Sequence, residues 1–290
     1  MSNEPSTPAT SRRTFVTTTF AVAALPVAAS TVSTPADGLL AGEITIDVGG
    51  FSLPAYRAAP AKAKGAKNAK LPVVLLVSEI FGVHAHIADV ARRFAKAGYL
   101  CIAPELFIRQ GDAKSQPDTQ TLVREVISKV PDAQVLTDLD ACAAWAAANG
   151  GDAKRLAVTG FCYGGRTTWL YAAHNPAIKA GVAWYGRLVA NPGAPRNPLT
   201  PVQPIEVVEK LNGPVLGLYA GQDTGIPNAT VAQMQNALAN ATNPKARASS
   251  FVLYRDAAHG FHADYRPMYR EADAKDAWAR CLAWMAQHGV

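Results

Sequence analysis

Strand-like and helix-like segments alternate along most of this chain, and this alternation restricts the fold more than any other feature. From Glu43 onward, short apolar runs bounded by turn residues are separated by segments with apolar residues at helical spacing. The run Val73–Val77 is continuously apolar, which is typical of a central strand buried on both faces. The pattern predicts an α/β fold with a mainly parallel central sheet and helices on both faces.

The individual elements can be placed from turn signals. Ile44–Val48 and Leu53–Ala58 flank Gly49-Gly50, which predicts a hairpin. Further strands are predicted at Val73–Val77, Leu100–Ala103, Leu156–Thr159, Gly181–Trp184, Val215–Tyr219 and Phe251–Tyr254. Helices are predicted at Ile87–Ala97, Thr119–Lys129, Asp138–Ala148, Gly165–His174, Ala229–Ala239 and Asp273–His288. The proline-rich segment Arg187–Pro204 should be a surface loop, and we expect one domain over residues 43–290.

The N-terminus is typical of an export signal. Arg12-Arg13 precede a modestly apolar run, Phe15–Ala29, that ends in small residues and is too short for a stable membrane span. This order resembles a twin-arginine signal, with a disordered basic tail as the alternative. We therefore expect residues 1–29 to be a signal read by the export machinery, residues 30–42 to be a linker, and the mature chain to be exported, to the periplasm.

Charge and cysteine usage exclude several classes of protein. The formal net charge is +6, but the basic residues are scattered, and the lysine-rich stretch Ala61–Lys70 is expected to be a solvated loop. No basic face carries a nucleic-acid-binding motif, so the charge is assigned to solubility or to attraction of an anionic substrate. The four cysteines form no zinc-binding or disulfide pattern, and three are expected to pack in the core: Cys101, Cys142 and Cys281.

The fourth cysteine lies in a different setting. Gly160-Phe161-Cys162-Tyr163-Gly164-Gly165 follows an apolar strand and opens a helix, which is the context of a nucleophile elbow. The glycines leave room for the strand and the helix to pass closely, and the start of the helix favours a thiolate. A buried cysteine in a glycine-rich turn is the structural alternative, but the downstream residues favour a catalytic role for Cys162.

Two suitable partners follow in the order that an elbow of this kind requires. Asp223 comes just after the strand Val215–Tyr219, and His259 comes just after Phe251–Tyr254. We expect His259 to exchange protons with Cys162 and Asp223 to fix the imidazole tautomer. A turn-capping aspartate and an ordinary loop histidine are the alternatives, but both would have to fall at the required strand ends by coincidence.

The loop after Val73–Val77 should complete the site. The backbone N–H groups of Tyr163 and Ile80 are our candidates for an oxyanion hole. Glu79 is an acidic residue at the end of an apolar strand, so we expect it to have a partner or a raised pKa.

These residues together resemble the dienelactone hydrolase family, also called carboxymethylenebutenolidases. The likeness covers nearly the whole chain after the signal and is carried by the elbow and by four further motifs: Glu79-Ile80-Phe81-Gly82, Pro104-Glu105-Leu106-Phe107, Gly221-Gln222-Asp223 and His259-Gly260-Phe261. The resemblance implies a monomeric α/β-hydrolase fold without cofactor or metal, in which Cys162, His259 and Asp223 open an enol-lactone through an acyl-enzyme. It also implies that Glu79 regulates the Cys162 thiol.

Substrate binding is predicted less sharply. In the family, arginines hold the carboxylate of dienelactone, and Arg109 and Arg124 lie in the matching region, while Arg266 is displaced from the expected position near the histidine. Tyr185 is a candidate for lining the pocket. Arg166 is expected to be structural or on the surface, and three histidines are interpreted as ordinary loop or helix-start residues: His84, His86 and His262.

The leading hypothesis is a cysteine-dependent hydrolase of a small-molecule lactone or activated ester. A broader carboxylesterase or thioesterase with the same triad is the nearest alternative. A non-catalytic binding protein or a thiol redox protein on the same scaffold is the third, but the complete set of nucleophile, base and acid disfavours the first, and the lack of a resolving cysteine disfavours the second.

Overall fold

The computed structural model describes residues 32–61, 69–191, 193 and 195–290. The predicted export signal of residues 1–29 lies outside these residues, as does most of the lysine-rich stretch. Eight strands form one sheet: β1 (Leu39–Val48), β2 (Phe51–Pro60), β3 (Leu71–Val77), β4 (Leu100–Pro104), β5 (Gly151–Phe161), β6 (Ile178–Trp184), β7 (Val215–Ala220) and β8 (Ser250–Tyr254).

The sheet is mainly parallel, as predicted. Its strand order is β1-β2-β4-β3-β5-β6-β7-β8. The β1–β2 and β2–β4 pairs are antiparallel, and every pair from β4–β3 to β7–β8 is parallel. The predicted hairpin is confirmed, with positive φ at both Gly49 and Gly50. Because β1 begins at Leu39, the segment 30–42 predicted as a linker already contains the first residues of the sheet.

Seven α-helices lie within the described residues: α1 (Ala85–Lys96), α2 (Thr119–Glu125), α3 (Asp132–Ala148), α4 (Tyr163–His174), α5 (Asn228–Ala239), α6 (Pro244–Arg247) and α7 (Glu271–Gln287). The helix predicted over Thr119–Lys129 is broken at Val126, after which Ile127–Lys129 is a 3₁₀ turn. The next helix starts at Asp132, six residues before the predicted Asp138. Pro131, in an extended conformation, immediately precedes the first turn of this helix. The apolar spacing used for the prediction began only at Asp138 and therefore missed that turn.

Helices cover both faces of the sheet. Alternate residues of β3 enter two separate hydrophobic clusters, one containing Val73 and Leu75 and the other containing Val74 and Leu76. The first cluster includes residues of α3 and α4, and the second includes residues of α1 and α7. A continuously apolar strand is therefore required at the centre of the sheet, because neither face is open to water.

Other sequence expectations also hold. Cys101, Cys142 and Cys281 are buried in the core, and all four cysteines are free thiols. The described residues between Arg187 and Gln203 form no helix or strand, and a 3₁₀ helix follows at Pro204–Lys210. No helix in the described part of the chain is long and apolar enough to cross a membrane.

Candidate active site

Cys162 lies in the turn between β5 and α4. Its backbone has φ 54° and ψ −106°, a conformation that non-glycine residues rarely adopt. The Cys162 amide donates a hydrogen bond to the carbonyl of Trp184 at the end of β6, which fixes the turn to the sheet. The thiol is partly exposed, unlike the other three. The turn therefore presents sulfur at the carboxyl edge of the sheet and at a helix N-terminus.

Two glycines of the elbow are required by close backbone approach. A Cβ on Gly160 would lie 2.5 Å from the carbonyl oxygen of Gly164, and a Cβ on Gly164 would collide with the carbonyl of Val77 and lie 2.9 Å from that of Ser78. Neither position can hold a side chain without a backbone shift. The second contact also brings the end of β3, and therefore the loop carrying Glu79 and Ile80, against the elbow.

The loops after β7 and β8 bring Asp223 and His259 together. His259 Nδ1 lies 2.7 Å from Asp223 Oδ2. The other carboxylate oxygen of Asp223 accepts the amides of Gly225 at 2.8 Å and Ile226 at 3.0 Å. With Nδ1 engaged in this way, Nε2 is the ring nitrogen left to face the Cys162 thiol, which contacts the His259 side chain.

This environment favours a charged imidazole. Burial lowers the pKa of His259, but the hydrogen bonds to Asp223 and Cys162 and the negative charges of both groups outweigh burial and raise it from 6.5 to about 10. A charged imidazole therefore lies against the Cys162 sulfur, which is the arrangement that activates a cysteine nucleophile.

Glu79 is a buried carboxylate in the loop after β3. Its side chain is 4 % exposed, and its Oε2 lies 3.4 Å from His84 Nε2. Burial raises the pKa of Glu79, but contact with His84 and the charges of His86 and Arg266 lower it to about 2. We expected a partner or a raised pKa for Glu79, and the structure supplies the partner.

The two candidate oxyanion donors lie on either side of the elbow. Tyr163 is the first residue of α4, so its backbone amide belongs to the helix N-terminus beside Cys162. Ile80 is in the loop after β3, which contacts the elbow through Gly164. Both candidate donors therefore belong to segments that meet at the elbow.

Comparison with known proteins agrees with this geometry. The sequence profile of the dienelactone hydrolase family matches residues 54–289. The chain belongs to the dienelactone hydrolase family. A Methylorubrum extorquens protein named "Putative carboxymethylenebutenolidase" is 52% identical over 286 residues, covering 97% of this chain and 94% of that protein. A Bradyrhizobium protein named "Probable 2-oxo-3-(5-oxofuran-2-ylidene)propanoate lactonase" is 29% identical over 248 residues, or 84% and 93% of the two chains.

A solved structure is similar as well. The crystal structure of "Putative Dienelactone Hydrolase" from Klebsiella pneumoniae is 53% identical, with a TM-score of 0.79 over 86% of this chain and 99% of that one. As a member of the dienelactone hydrolase family, the chain has an α/β-hydrolase fold and is a hydrolase acting on ester bonds.

The two predicted substrate-binding arginines, Arg109 and Arg124, do not lie at the triad of this dienelactone hydrolase. Arg109 forms a bidentate ion pair with Asp138 of α3, at 2.5 and 2.8 Å, and its guanidinium lies over the Phe51 ring. Arg124 is on the surface and pairs with the neighbouring Glu125 at 2.7 Å. Both bind carboxylates of the chain itself, which position in the sequence could not reveal.

Tyr185 does lie in the site. It has φ 38°, is 1 % exposed, and its ring centroid is 5.1 Å from that of His259. Burial, followed by the charges of Glu79 and Cys162, raises the pKa of Tyr185 well above its ordinary value, so the hydroxyl stays protonated. The hydroxyl is buried and has no hydrogen-bond partner among the described residues.

Three residues of the site were not predicted as site residues: His84, Tyr265 and Arg266. Arg266 lies near Glu79 and donates to the Tyr265 hydroxyl at 3.1 Å, while His84 faces both Glu79 and Tyr265. The displaced Arg266 was visible in the sequence, but its direction depends on the path of the loop after His259. Arg166 is structural, as expected, because it forms a buried bidentate pair with Asp132.

Proposed function

We propose that this enzyme opens a small lactone or activated ester through an acyl-enzyme on Cys162. The observation that carries this proposal is the hydrogen-bonded chain in which Asp223 binds Nδ1 of His259 and Cys162 contacts the same imidazole. In this order the carboxylate orients the base and stabilises its charge, and the base lies against the nucleophile.

The reaction proceeds in two steps, which are acylation of Cys162 and hydrolysis of the resulting thioester. The Cys162 thiolate attacks the carbonyl carbon, the ring C–O bond breaks, and the His259 imidazolium gives its proton to the leaving oxygen. Water then attacks the thioester while His259 accepts a proton, and the free acid leaves as the thiolate is restored. The amides of Tyr163 and Ile80 would bind the oxyanion in both steps.

The same site favours an anionic substrate. The Arg266 guanidinium is partly exposed and lies over the Phe81 ring, 4.9 Å from its centroid, beside Tyr265 and the triad loop. We propose Arg266, with the Tyr185 hydroxyl, as the pair that binds a substrate carboxylate. The lactone acid in the name of the Bradyrhizobium relative has this chemistry.

Mass spectrometry of a trapped intermediate tests the nucleophile. Wild-type enzyme mixed briefly with a panel of lactones and esters should carry one acyl group on Cys162. The three buried cysteines serve as internal controls and should stay unmodified. Cys162→Ala should lose turnover, and unchanged hydrolysis by that variant would refute the proposal and favour a different site.

Substrate preference tests the charge. A carboxylated enol-lactone should be hydrolysed better than a neutral aryl ester, and Arg266→Gln should raise KM for the lactone only. Arg255→Gln is the matched control, because Arg255 is an exposed arginine shortly before His259 in the chain. A preference for the neutral ester, unaffected by Arg266→Gln, would favour a broader carboxylesterase that uses the same triad.

A further inference from the structure

A row of buried polar side chains lies behind Glu79. His84 and His86 are 7 % and 1 % exposed, and their rings stack with centroids 6.1 Å apart. His86 Nδ1 lies 3.0 Å from one oxygen of Asp264, whose other oxygen accepts a hydrogen bond of 2.8 Å from Arg93 of α1. The row therefore runs from the Glu79 carboxylate, through two imidazoles, to a buried carboxylate–guanidinium pair.

A third buried histidine belongs to the packing and does not extend the row. The His262 ring stacks on Phe161 at 5.0 Å and packs against Trp184 at 4.7 Å. Burial, followed by the positive charges of His86 and Arg93, lowers the pKa of His262 well below its ordinary value. Since His262 is neutral, a positive charge next to Glu79 must come from another group.

His84 is the group placed to supply that charge. Within the described part of the chain, neither ring nitrogen of His84 meets hydrogen-bond geometry, and the same holds for Oε2 of Glu79. A buried carboxylate that faces a buried imidazole at 3.4 Å is stabilised when the imidazole carries a proton toward it.

Other titratable groups also face Glu79. From the neighbouring loops and strand ends these are His84, His86, Tyr185, Tyr265 and Arg266, and the charge of Cys162 acts on the same two tyrosines. The two tyrosines are neutral because burial and the charge of Glu79 raise the pKa of each. Arg266 is partly exposed and hydrogen-bonds to Tyr265, whereas His84 is buried and in direct contact with the carboxylate.

We propose that His84 is the counter-ion of Glu79 and a positioning residue for Cys162, with His86 and Asp264 holding His84 in place. This inference rests on the proposed cysteine mechanism. While His84 balances the carboxylate, the charge of Glu79 does not oppose the Cys162 thiolate. Without His84, we expect Glu79 to exchange a proton in the neutral range, and each change of its charge to affect Cys162, because both groups act on Tyr185 and Tyr265.

Alkylation of Cys162 by iodoacetamide across the pH range tests the proposal without a substrate. His84→Phe and the less disruptive His84→Gln should each show a new titration step in the alkylation rate, of up to about tenfold, because a neighbouring charge shifts an ionisation by about one pKa unit. The step should disappear in the double variants that also carry Glu79→Gln. If His84 only stabilised the local structure, its loss would not produce a titration step that depends on Glu79.

The matched control is His174→Gln. His174 also pairs with a carboxylate, 2.7 Å from Asp140, but it lies at the far end of the 12-residue helix α4, about 18 Å from the elbow. Its alkylation profile should equal that of the wild type. The proposal is overturned if a folded His84 variant titrates like the wild type, or if its new step persists with Glu79→Gln. Hydrolysis that survives alkylation would instead refute the proposed function. The effect of His84 on the alkylation rate could still be measured in that case.

Discussion

The charge of Asp223 should set the alkaline limit of catalysis, and Asp223→Asn tests this directly. In the wild type, His259 stays protonated up to its raised pKa of about 10. As the pH rises through that value, the proton that the leaving oxygen needs is lost, so activity should fall on the alkaline side there. Cys162 and His259 share this titration, and the measured limit belongs to the pair.

The magnitude follows from the contact. An opposite charge in direct contact favours the charged form by about one to three pKa units, and the 2.7 Å contact between Asp223 and His259 is of this kind. Asparagine removes that charge, so the alkaline limit should move down by about one to three pH units. The amide can also donate to Nδ1 and select the wrong tautomer, which in comparable triads costs kcat about 10⁴-fold.

The assay is kcat/KM as a function of pH for one ester that is stable in alkali. Asp256→Asn is the matched control, because Asp256 is exposed and lies three residues before His259. The control should keep the wild-type limit. An Asp223→Asn enzyme whose alkaline limit stays in place would refute the assignment of the raised pKa to the Asp223 contact.

Three further outcomes are expected. Gly164→Ala should lower the free energy of unfolding by about 2 kcal/mol or more in urea denaturation, because the new methyl group meets backbone at the end of β3; wild-type stability would contradict the close approach. Asp132→Ala should destabilise by about 3–5 kcal/mol, since it leaves Arg166 buried without its bidentate partner; the same assay measures it, and a loss below 1 kcal/mol would refute that role. For localisation, we propose export through the N-terminal signal: replacing Arg12 and Arg13 by lysine should leave the protein in the cytoplasm on cell fractionation, and unchanged export would contradict a twin-arginine route.

The triad could be predicted from the sequence because its positions follow from topology. In a parallel sheet the carboxyl ends of the strands lie at one edge, so residues that follow β5, β7 and β8 converge there, with β6 between β5 and β7. Cys162, Asp223 and His259 each follow one of these strands directly. Locating the strands was therefore enough to place the three side chains together.

The substrate-binding residues could not be predicted in this way. Arg109 lies in the region that matches the family's arginines, but a carboxylate 29 residues later in the chain, Asp138, binds its guanidinium. Arg266 is seven residues after His259, and only the turns between them direct its side chain back toward Glu79. Periodicity gives the position of a residue along an element, but in an irregular loop it gives no direction for the side chain.

The same distinction explains why His84 looked ordinary. Its place just before α1 is a common one for a loop residue, and no sequence spacing relates it to Glu79 in a recognisable motif. Its importance comes from three conditions that only the folded chain shows together: burial, a carboxylate at 3.4 Å, and no other hydrogen-bond partner among the described residues. A buried charge must be balanced by whichever groups the fold places next to it. In this member of the dienelactone hydrolase family, the meeting of Cys162, Asp223 and His259 therefore follows from strand order, whereas the charge balance near Cys162 is set by loop residues that strand order does not constrain.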